Sequence, residues 1–268
     1  MKLAAKVIIV TGAGSGIGRE VALEAVRRGA AVAAVDLNPR TLEETAALAG
    51  AQARISSHVL DITDRAAVQA LPDTVIERLG AVDGIVHCAG IIQPFVRLKD
   101  LDDAAIDRVF AVNWLGTLYL TRTLLPILLA RPEGHIVNIS SMGGFLPVPG
   151  QTIYGASKAA VKLLTEGLHS ECAGTNVRVT VVFPGAVATN ITTNSGVAIP
   201  NLGADAEKMA GRAMAADKAA RIILDGMEKD AYRVMVGSDA KLMDRLYRLS
   251  PRRAAGFIAN QMKALLAT

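Results

Sequence analysis

The chain has 268 residues, 51% hydrophobic and 20% charged, so it can bury one large core and is not a disordered chain. Its two cysteines, Cys88 and Cys172, exclude a disulfide-rich scaffold, and the absence of CxxC and HxxxH spacing predicts that it holds no metal. The net charge of +4 is uneven, with +5 in residues 241–268 and −1 in residues 1–240. The body therefore lacks the basic face of a nucleic-acid binder. We expect a soluble cytoplasmic protein, because the longest uncharged stretches are too polar to span a bilayer.

Short apolar runs alternate with helical patterns along the chain. Seven runs are predicted as buried strands: Lys6–Val10, Ala31–Val35, His58–Leu60, Ile85–Cys88, His135–Ile139, Val177–Phe183 and Arg233–Val236. The helices predicted between them are Gly16–Gly29, Arg40–Ala49, Asp64–Leu79 with Asp64 as N-cap, Asp102–Leu129, Tyr154–Cys172 and Ala215–Glu228. The helical pattern over Asp102–Leu129 is expected to break near Asn113 and to kink or end at Pro126.

This alternation predicts an α/β fold, a single Rossmann-like, doubly wound parallel sheet with helices on both faces. No internal repeat or long linker divides the chain. We therefore predict one catalytic domain over residues 1–240. A basic helical C-terminal extension, residues 241–268, is predicted to pack on the same domain.

A glycine-rich turn joins the first strand to the first helix. It reads Thr11-Gly12-Ala13-Gly14-Ser15-Gly16-Ile17-Gly18, which has TGxxxGxG spacing rather than GxGxxG. Glycines let the backbone approach a pyrophosphate, whose charge is stabilised at the helix N-terminus. The plain alternative is an ordinary strand–helix loop, and the position between a strand and a helix favours the dinucleotide site.

An acidic residue, Asp36, ends the second strand 20 residues beyond Gly16. A carboxylate there can accept hydrogen bonds from the adenosine ribose hydroxyls and would repel a 2′-phosphate. The next residue is Leu37 rather than an arginine that could bind that phosphate. Both residues favour NAD over NADP, and the alternative is a solvated aspartate at a strand end.

Tyr154 and Lys158 are four residues apart in Tyr154-Gly155-Ala156-Ser157-Lys158, so a helix would place them on one face. A tyrosine with a pKa of about 10 is a poor base at neutral pH. A nearby ammonium favours the phenolate, which makes a general acid/base for a hydroxyl proton. Taken alone the YxxxK pattern is weak, because most such pairs are surface neighbours.

Together these motifs resemble the short-chain dehydrogenase/reductase family over about residues 5–190. Leu60-Asp61-Ile62 resembles the family's strand-end acid at the adenine ring, and Pro184-Gly185-Ala186-Val187-Ala188-Thr189 resembles its nicotinamide loop. Asn113 lies 28 positions before Ser141, which lies 13 before Tyr154, as in the family's Asn-Ser-Tyr-Lys tetrad. This spacing selects Ser141 over Ser140, to which we assign a structural or minor role.

The resemblance implies a catalytic set of Asn113, Ser141, Tyr154 and Lys158. The cofactor-binding set that it implies, with NAD as cofactor, is Gly12, Ser15, Gly16, Ile17, Gly18, Asp36, Leu37, Asp61, Ile62, Cys88, Ala89, Gly90, Tyr154, Lys158, Pro184, Gly185, Val187 and Thr189. One departure stands out, because Cys88-Ala89-Gly90 replaces the family's Asn-Ala-Gly. Cysteine is a weaker hydrogen-bonding group than an amide, so a bracing bond is in doubt. A nucleophilic role for Cys88 is disfavoured, because a strand end would bury it.

The implied activity is hydride transfer between NAD(H) and a secondary alcohol or ketone. Ser141 would bind the substrate oxygen and Tyr154 would carry the hydroxyl proton. Lys158 would hold the nicotinamide ribose and lower the pKa of Tyr154, and Asn113 would position a water that relays the proton. Two alternatives stay open: a biosynthetic NADPH-dependent ketoreductase, disfavoured by Asp36-Leu37, and a non-catalytic dinucleotide-binding protein, disfavoured by the intact tetrad.

Substrate and assembly are less defined. Residues 142–149 and 190–200 contain no charged group, which favours a lipophilic or a small neutral substrate, although these residues could simply pack. The loop after Thr189 is rich in Gly, Asn and Pro and could close over the site. The resemblance also implies a homotetramer or homodimer, formed through the helices of Asn113–Leu129 and Tyr154–Cys172.

The basic tail is predicted to form two amphipathic helices. The first spans Lys241–Leu249, with Leu242, Leu246 and Leu249 on one side. Ser250-Pro251 would start the second helix, on which Ala254, Ile258, Met262 and Leu265 recur at helical spacing. We expect these stripes to pack on the body or cover the substrate entrance. Contact with an anionic membrane surface is the less favoured alternative.

Overall fold

The fold is a seven-stranded sheet flanked by helices, in a computed structural model that describes residues 1–197 and 213–262. The strands are β1 (Val7–Thr11), β2 (Ala31–Asp36), β3 (Ile55–Val59), β4 (Gly84–His87), β5 (Gly134–Ile139), β6 (Val177–Pro184) and β7 (Arg233–Val236). All neighbours pair in parallel, in the order β3-β2-β1-β4-β5-β6-β7. The doubly wound parallel sheet predicted from the sequence is confirmed.

The helices lie between the strands and at the C-terminal end. Those in the described residues are α1 (Gly16–Arg27), α2 (Pro39–Ala49), α3 (Arg65–Leu79), α4 (Asp103–Phe110), α5 (Thr117–Leu129), α6 (Thr152–Glu171), α7 (Ile191–Ser195), α8 (Ala216–Glu228), α9 (Ser238–Leu249) and α10 (Pro251–Met262). Asp64 caps α3 as predicted, because its side chain accepts hydrogen bonds from the N–H groups of Ala66 and Ala67.

The core forms two layers because alternate strand residues face opposite sides of the sheet. On β1, Ile8 and Val10 pack with α1 and α8, whereas Val7 and Ile9 pack with α3, α5 and α6. Strands buried on both faces read as continuous apolar runs, which is why β1 and β2 were visible in the sequence. No described helix is long and apolar enough to cross a membrane.

Several predicted boundaries are corrected. β3 begins at Ile55 rather than His58, because Ser56 and Ser57 still pair with β2 at the sheet edge, where polar side chains are tolerated. The helix does not break at Asn113 but widens into a π-helical turn, Ala111–Gly116. Pro126 does not end α5, which continues to Leu129 while packing buries Leu124 and Leu128 on either side of the proline.

The two tail helices bury different fractions of their apolar residues. On α10, Ala254 and Ile258 are buried against Leu146, in agreement with the predicted packing of that stripe. On α9, Leu242, Leu246 and Leu249 are 57%, 39% and 84% exposed, so the prediction that they pack is wrong. The helix α9 is rotated about its axis so that Ala240, Met243 and Tyr247 face the body instead. Leu265 lies outside the described residues.

Candidate active site

The predicted site residues meet at one edge of the sheet. In a parallel sheet all strands end at the same edge, and ligands bind in the crevice there. The glycine-rich turn follows β1, Asp36 ends β2, Asp61 follows β3, Cys88 follows β4 and Ser141 follows β5. The Pro184–Thr189 loop continues from β6 to the same edge.

The glycine-rich turn has the geometry of a pyrophosphate cradle. Gly12 adopts φ +68°, and a Cβ there would lie 2.9 Å from the backbone N of Ala89. Gly16 adopts φ +51° and faces the side chain of Thr189. The N-cap of α1, Ser15, makes no side-chain capping bond, so the first N–H groups of the helix are left for an anion. These features fit a dinucleotide pyrophosphate.

Asp36 is held beside this turn by two backbone N–H groups. One carboxylate oxygen accepts a hydrogen bond from Gly14 N at 2.9 Å and the other from Asn38 N at 3.0 Å. The nearby cation Arg19 is engaged elsewhere, donating to Gly14 O and to Glu44. Leu37 stands 65% exposed. The carboxylate is thus fixed in orientation and is not neutralised by Arg19.

Asp61 and Ile62 follow β3 as predicted. The Asp61 side chain accepts hydrogen bonds from the N–H and the hydroxyl of Thr63, both at 2.8 Å, which shapes the turn into α3. Ile62 is buried and lies against Gly116, where a Cβ would come within 2.6 Å of its Cδ1. The structure thus shows a turn-forming role for Asp61, and its role toward adenine remains a prediction.

Tyr154 and Lys158 lie on one face of α6, where Lys158 is buried and Tyr154 is partly buried. Lys158 Nζ donates a hydrogen bond to Ile139 O at 3.0 Å and lies 6.0 Å from the centre of the Tyr154 ring. Burial lowers the pKa of Lys158 from its ordinary 10.5 to about 8, partly opposed by Cys88. Burial raises the pKa of Tyr154, and a hydrogen bond with Ser141 opposes that rise. The site thus joins a phenol, a hydroxyl and a desolvated amine.

The two adjacent serines have different partners. Ser141 Oγ accepts a hydrogen bond from Gly143 N at 3.0 Å, and the residue begins a short 3₁₀ turn, Met142–Gly144. Ser140 Oγ instead donates to Lys158 O at 2.7 Å in the interior. Ser141 therefore faces Tyr154, while Ser140 joins β5 to α6, which matches its predicted structural role.

Asn113 is fully buried in the π-helical turn. Its amide accepts a hydrogen bond from Ile91 N at 2.9 Å and donates to Ile91 O at 2.9 Å and to Ser157 Oγ at 3.0 Å. A Cβ at Gly90 would lie 3.1 Å from Lys158 Nζ and 3.2 Å from Asn113 Oδ1. Asn113 thus fixes the loop after β4 against α6, next to the lysine.

Cys88 directly follows β4, which is Gly84–His87 rather than the predicted Ile85–Cys88, and it is partly buried where the family has asparagine. Burial raises the pKa of its thiol to about 12, while the charge of Lys158 partly opposes that rise. The group is a neutral thiol at pH 7, which argues against a thiolate nucleophile. The bracing of this loop comes from Thr11, whose Oγ1 accepts a hydrogen bond from Ala89 N at 3.1 Å.

Two residues of the site were missed in the sequence. Asp239, at the start of α9, accepts a hydrogen bond from Ala186 N at 2.7 Å and thereby holds the Pro184–Thr189 loop. Gln93 is 1% exposed and binds the N-terminus of α6. The only sequence signal for Asp239 was an acid at a helix start, and for Gln93 it was the following Pro94, which favours extended backbone.

The loop after Thr189 crosses the crevice. Asn194 Nδ2 donates a hydrogen bond to Ser15 Oγ at 2.7 Å, and Ser195 Oγ accepts one from Ile92 N at 3.0 Å. The short helix α7 thus spans from the glycine-rich turn to the loop after β4. Within the Pro184–Thr189 loop, Val187 pairs with Met214 in an isolated parallel bridge.

This fold and this site define the class of Rossmann-fold oxidoreductases. Within that class, a family model described as short chain dehydrogenase matches residues 6–198, and the chain belongs to this family. The predicted family membership is confirmed.

Relatives and solved structures agree with that assignment. The chain is 39% identical over 254 residues to a putative oxidoreductase SadH of Mycobacterium tuberculosis, covering 91% of this chain and 90% of that one. It is 37% identical over 195 residues to the 3-oxoacyl-[acyl-carrier-protein] reductase FabG of Thermotoga maritima, covering 72% and 78%. A short chain dehydrogenase/reductase from Burkholderia phymatum in complex with NAD superposes with a TM-score of 0.83 at 26% identity, covering 94% and 96%.

Proposed function

We propose that the protein is an NAD-dependent oxidoreductase of secondary alcohols or ketones that are lipophilic or small and neutral. The observation that carries this proposal is the Tyr154–Lys158 pair on α6, with a partly buried phenol, a buried amine and Ser141 beside the phenol. A phenol and an amine with shifted pKa values, at the ligand edge of an α/β sheet, are typical of acid/base catalysis.

The residues divide the proton chemistry among them. Ser141 donates a hydrogen bond to the substrate oxygen, and Tyr154 takes the hydroxyl proton of an alcohol or returns it to a ketone. Lys158 holds the nicotinamide ribose. Without NAD, burial raises the pKa of Tyr154 rather than lowering it as predicted, so the proposal requires the Lys158 ammonium and the charged nicotinamide ring of bound NAD together to favour the phenolate. Asn113 positions a water that relays the proton from Lys158. NAD, when bound, supplies the hydride acceptor or donor.

The choice of NAD rests on the charge at the end of β2. Hydrogen bonds from Gly14 N and Asn38 N orient the Asp36 carboxylate. In this position it can accept hydrogen bonds from the ribose hydroxyls and would repel a 2′-phosphate. Arg19, which lies beside the same turn, supports this, because it donates to Gly14 O and to Glu44 rather than to Asp36.

The substrate class rests on the uncharged segment after Ser141. Part of it packs, as the alternative interpretation expected, because Leu146 is fully buried with Met243, Ala254 and Ile258. Met142 and Val148 are only partly buried, which leaves apolar surface for a substrate. Residues 198–200 of the second predicted segment lie outside the described residues.

A ketoreductase using NADPH is the second candidate, supported by the FabG relative. A non-catalytic dinucleotide-binding role is less favoured, because the site retains all four catalytic side chains.

We propose a cytoplasmic homodimer or homotetramer joined through α5 and α6, whose exposed Leu129 and Leu163 offer apolar contact.

A coenzyme assay tests these candidates. The purified protein is mixed with NAD or NADP and a panel of secondary alcohols, and with NADH or NADPH and the matching ketones. We expect kcat/KM with NAD to exceed that with NADP, on uncharged substrates. Faster turnover with NADPH would favour the ketoreductase, and tight NAD binding without turnover of any panel member would favour the non-catalytic role.

A further inference from the structure

The helix that carries Tyr154 lacks a conventional cap. The N-cap position of α6 is Gln151, whose side chain makes no capping hydrogen bond. The first N–H groups of a helix have no partner within it, and leaving them unpaired in the interior is costly. Here the partner comes from a residue 60 positions earlier in the chain.

That partner is Gln93, in the loop after β4. Its Oε1 accepts hydrogen bonds from Ile153 N at 2.8 Å and from Tyr154 N at 2.9 Å. Its Nε2 donates to Gly150 O at 3.0 Å. The orientation of the amide follows from chemistry, since a flipped amide would set its NH₂ against two N–H donors.

The hydrogen bonds between Gln93 and Gln151 are reciprocal and buried. Gln151 Nε2 donates to Gln93 O at 2.9 Å, and both side chains are almost fully buried, at 4% and 1% exposed. The two preceding residues of the same loop also form hydrogen bonds within the site. The backbone of Ile91 binds the amide of Asn113, and Ile92 N donates to Ser195 Oγ. The loop therefore connects three parts of the site through consecutive residues.

We propose that Gln93 is a positioning residue for the reaction, which caps α6 through the backbone of Tyr154 and so sets the phenol against Ser141 and Lys158. The role requires one acceptor and one donor on the same side chain, which an amide supplies. This inference rests on the proposed acid/base role of Tyr154. Small displacements of a catalytic group are costly, since a shift of about 1 Å can reduce a rate about 100-fold.

The test compares Gln93→Met, which keeps the volume and removes all three side-chain bonds, with Gln93→Glu, which keeps the acceptor and loses the donor. The matched control is Asn176→Leu. Asn176 Nδ2 donates to two partly buried backbone carbonyls, those of Leu128 and Arg131, at the opposite edge of the sheet.

The first readout needs no substrate. Tyrosinate absorbance is titrated in the free and the NAD-saturated protein, and the signal lost in Tyr154→Phe identifies Tyr154 among the four tyrosines. We expect Gln93→Met to raise the pKa of Tyr154 by about half a unit or more, because a displaced phenol loses its bond to Ser141. We expect Gln93→Glu to raise it as well, because a carboxylate disfavours a nearby phenolate.

The second readout is turnover of the fastest alcohol in the panel. We expect kcat to fall about 10- to 100-fold in Gln93→Met, with recovery of part of it in Gln93→Glu and little change in the KM for NAD. Asn176→Leu should lower Tm without moving the titration of Tyr154. If Gln93→Met does not fold, Gln93→Asn replaces it in both readouts, because its amide is uncharged but one methylene too short to reach Ile153 N and Tyr154 N.

An unchanged Tyr154 titration in the Gln93 variants that fold, or an equal shift in Asn176→Leu, overturns the positioning role. If Tyr154→Phe keeps its turnover, the proposed function fails instead, while the titrations still report whether Gln93 positions the phenol. If Tyr154→Phe is inactive while the Gln93 variants match the wild type in titration and turnover, the proposed function stands and only the role of Gln93 is rejected.

Discussion

The two halves of the sheet are held together differently. In the half formed by β1, β2 and β3, the decisive contact joins Gly14 and Asp36, 22 residues apart, within one strand–helix–strand unit. In the half formed by β4 to β7, hydrogen bonds join residues farther apart in the sequence, with separations of 103 from Ile92 to Ser195 and 53 from Ala186 to Asp239. We call the first half the cofactor half and the second the substrate half, after what we propose that each binds. The cofactor half has a local motif, whereas the substrate half also depends on contacts made only in the folded chain.

The largest effect is expected at Tyr154, in the substrate half. Tyr154→Phe keeps the ring and removes the proton carrier, so kcat should fall about 1000-fold or more. Binding of NAD, measured by titration calorimetry, should stay within about twofold, because the phenol hydroxyl acts on the substrate oxygen. A variant that keeps more than about a tenth of the wild-type kcat contradicts the acid/base assignment.

A change confined to the cofactor half should alter coenzyme choice without altering chemistry. Asp36→Ala combined with Leu37→Arg removes a repulsion and adds a phosphate partner. The ratio of kcat/KM for NADP over NAD should rise about 100-fold, since each change affects a charged hydrogen bond. The single variants separate the two contributions, and an unchanged ratio would place the selectivity elsewhere.

The long-range contact of Asp239 offers an intermediate effect. Asp239→Ala removes the acceptor of Ala186 N and frees the loop expected at the nicotinamide, so the Kd for NAD should rise about tenfold. Asp244→Ala is the matched control, because Asp244 lies on the same helix but pairs with Arg233 and Arg248. Equal weakening of NAD binding in both variants would mean that α9 affects the site only through the stability of the fold and not through the hydrogen bond of Asp239.

The buried amine predicts a pH-dependent stability. The pKa of Lys158 is about 8 in the folded protein and about 10.5 when exposed, so the unfolded chain binds more protons between these values. The cost of burying the charge is full below about pH 8 and is lost as pH rises to about 10.5. Relative to Lys158→Met, the wild type should gain stability across that window in urea unfolding. Lys162→Met, on the same helix, is the control. If the free energy of unfolding of the wild type and of Lys158→Met changes equally with pH across this window, the lowered pKa of Lys158 is contradicted.

The smallest effect concerns the basic tail. Leu242, Leu246 and Leu249 are exposed beside Arg245, Arg248, Arg252 and Arg253, a surface that fits an anionic bilayer. We expect weak sedimentation with anionic liposomes that disappears at high salt and in the variant with the four arginines replaced by glutamine. Absence of binding at low salt would leave α9 and α10 as a cover of the protein's own body.

Residue patterns were enough to predict the parallel sheet, the glycine-rich turn, Asp36 and the Tyr154–Lys158 pair. Each of these depends on local backbone geometry or on strand–helix order, which residue spacing records directly. The π-helical turn at Asn113, the cap from Gln93 and the exposed face of α9 could not be predicted in this way. Gln93 caps a helix 60 positions away in the chain, and a buried amide or an apolar stripe acquires its role only from the residues that pack against it.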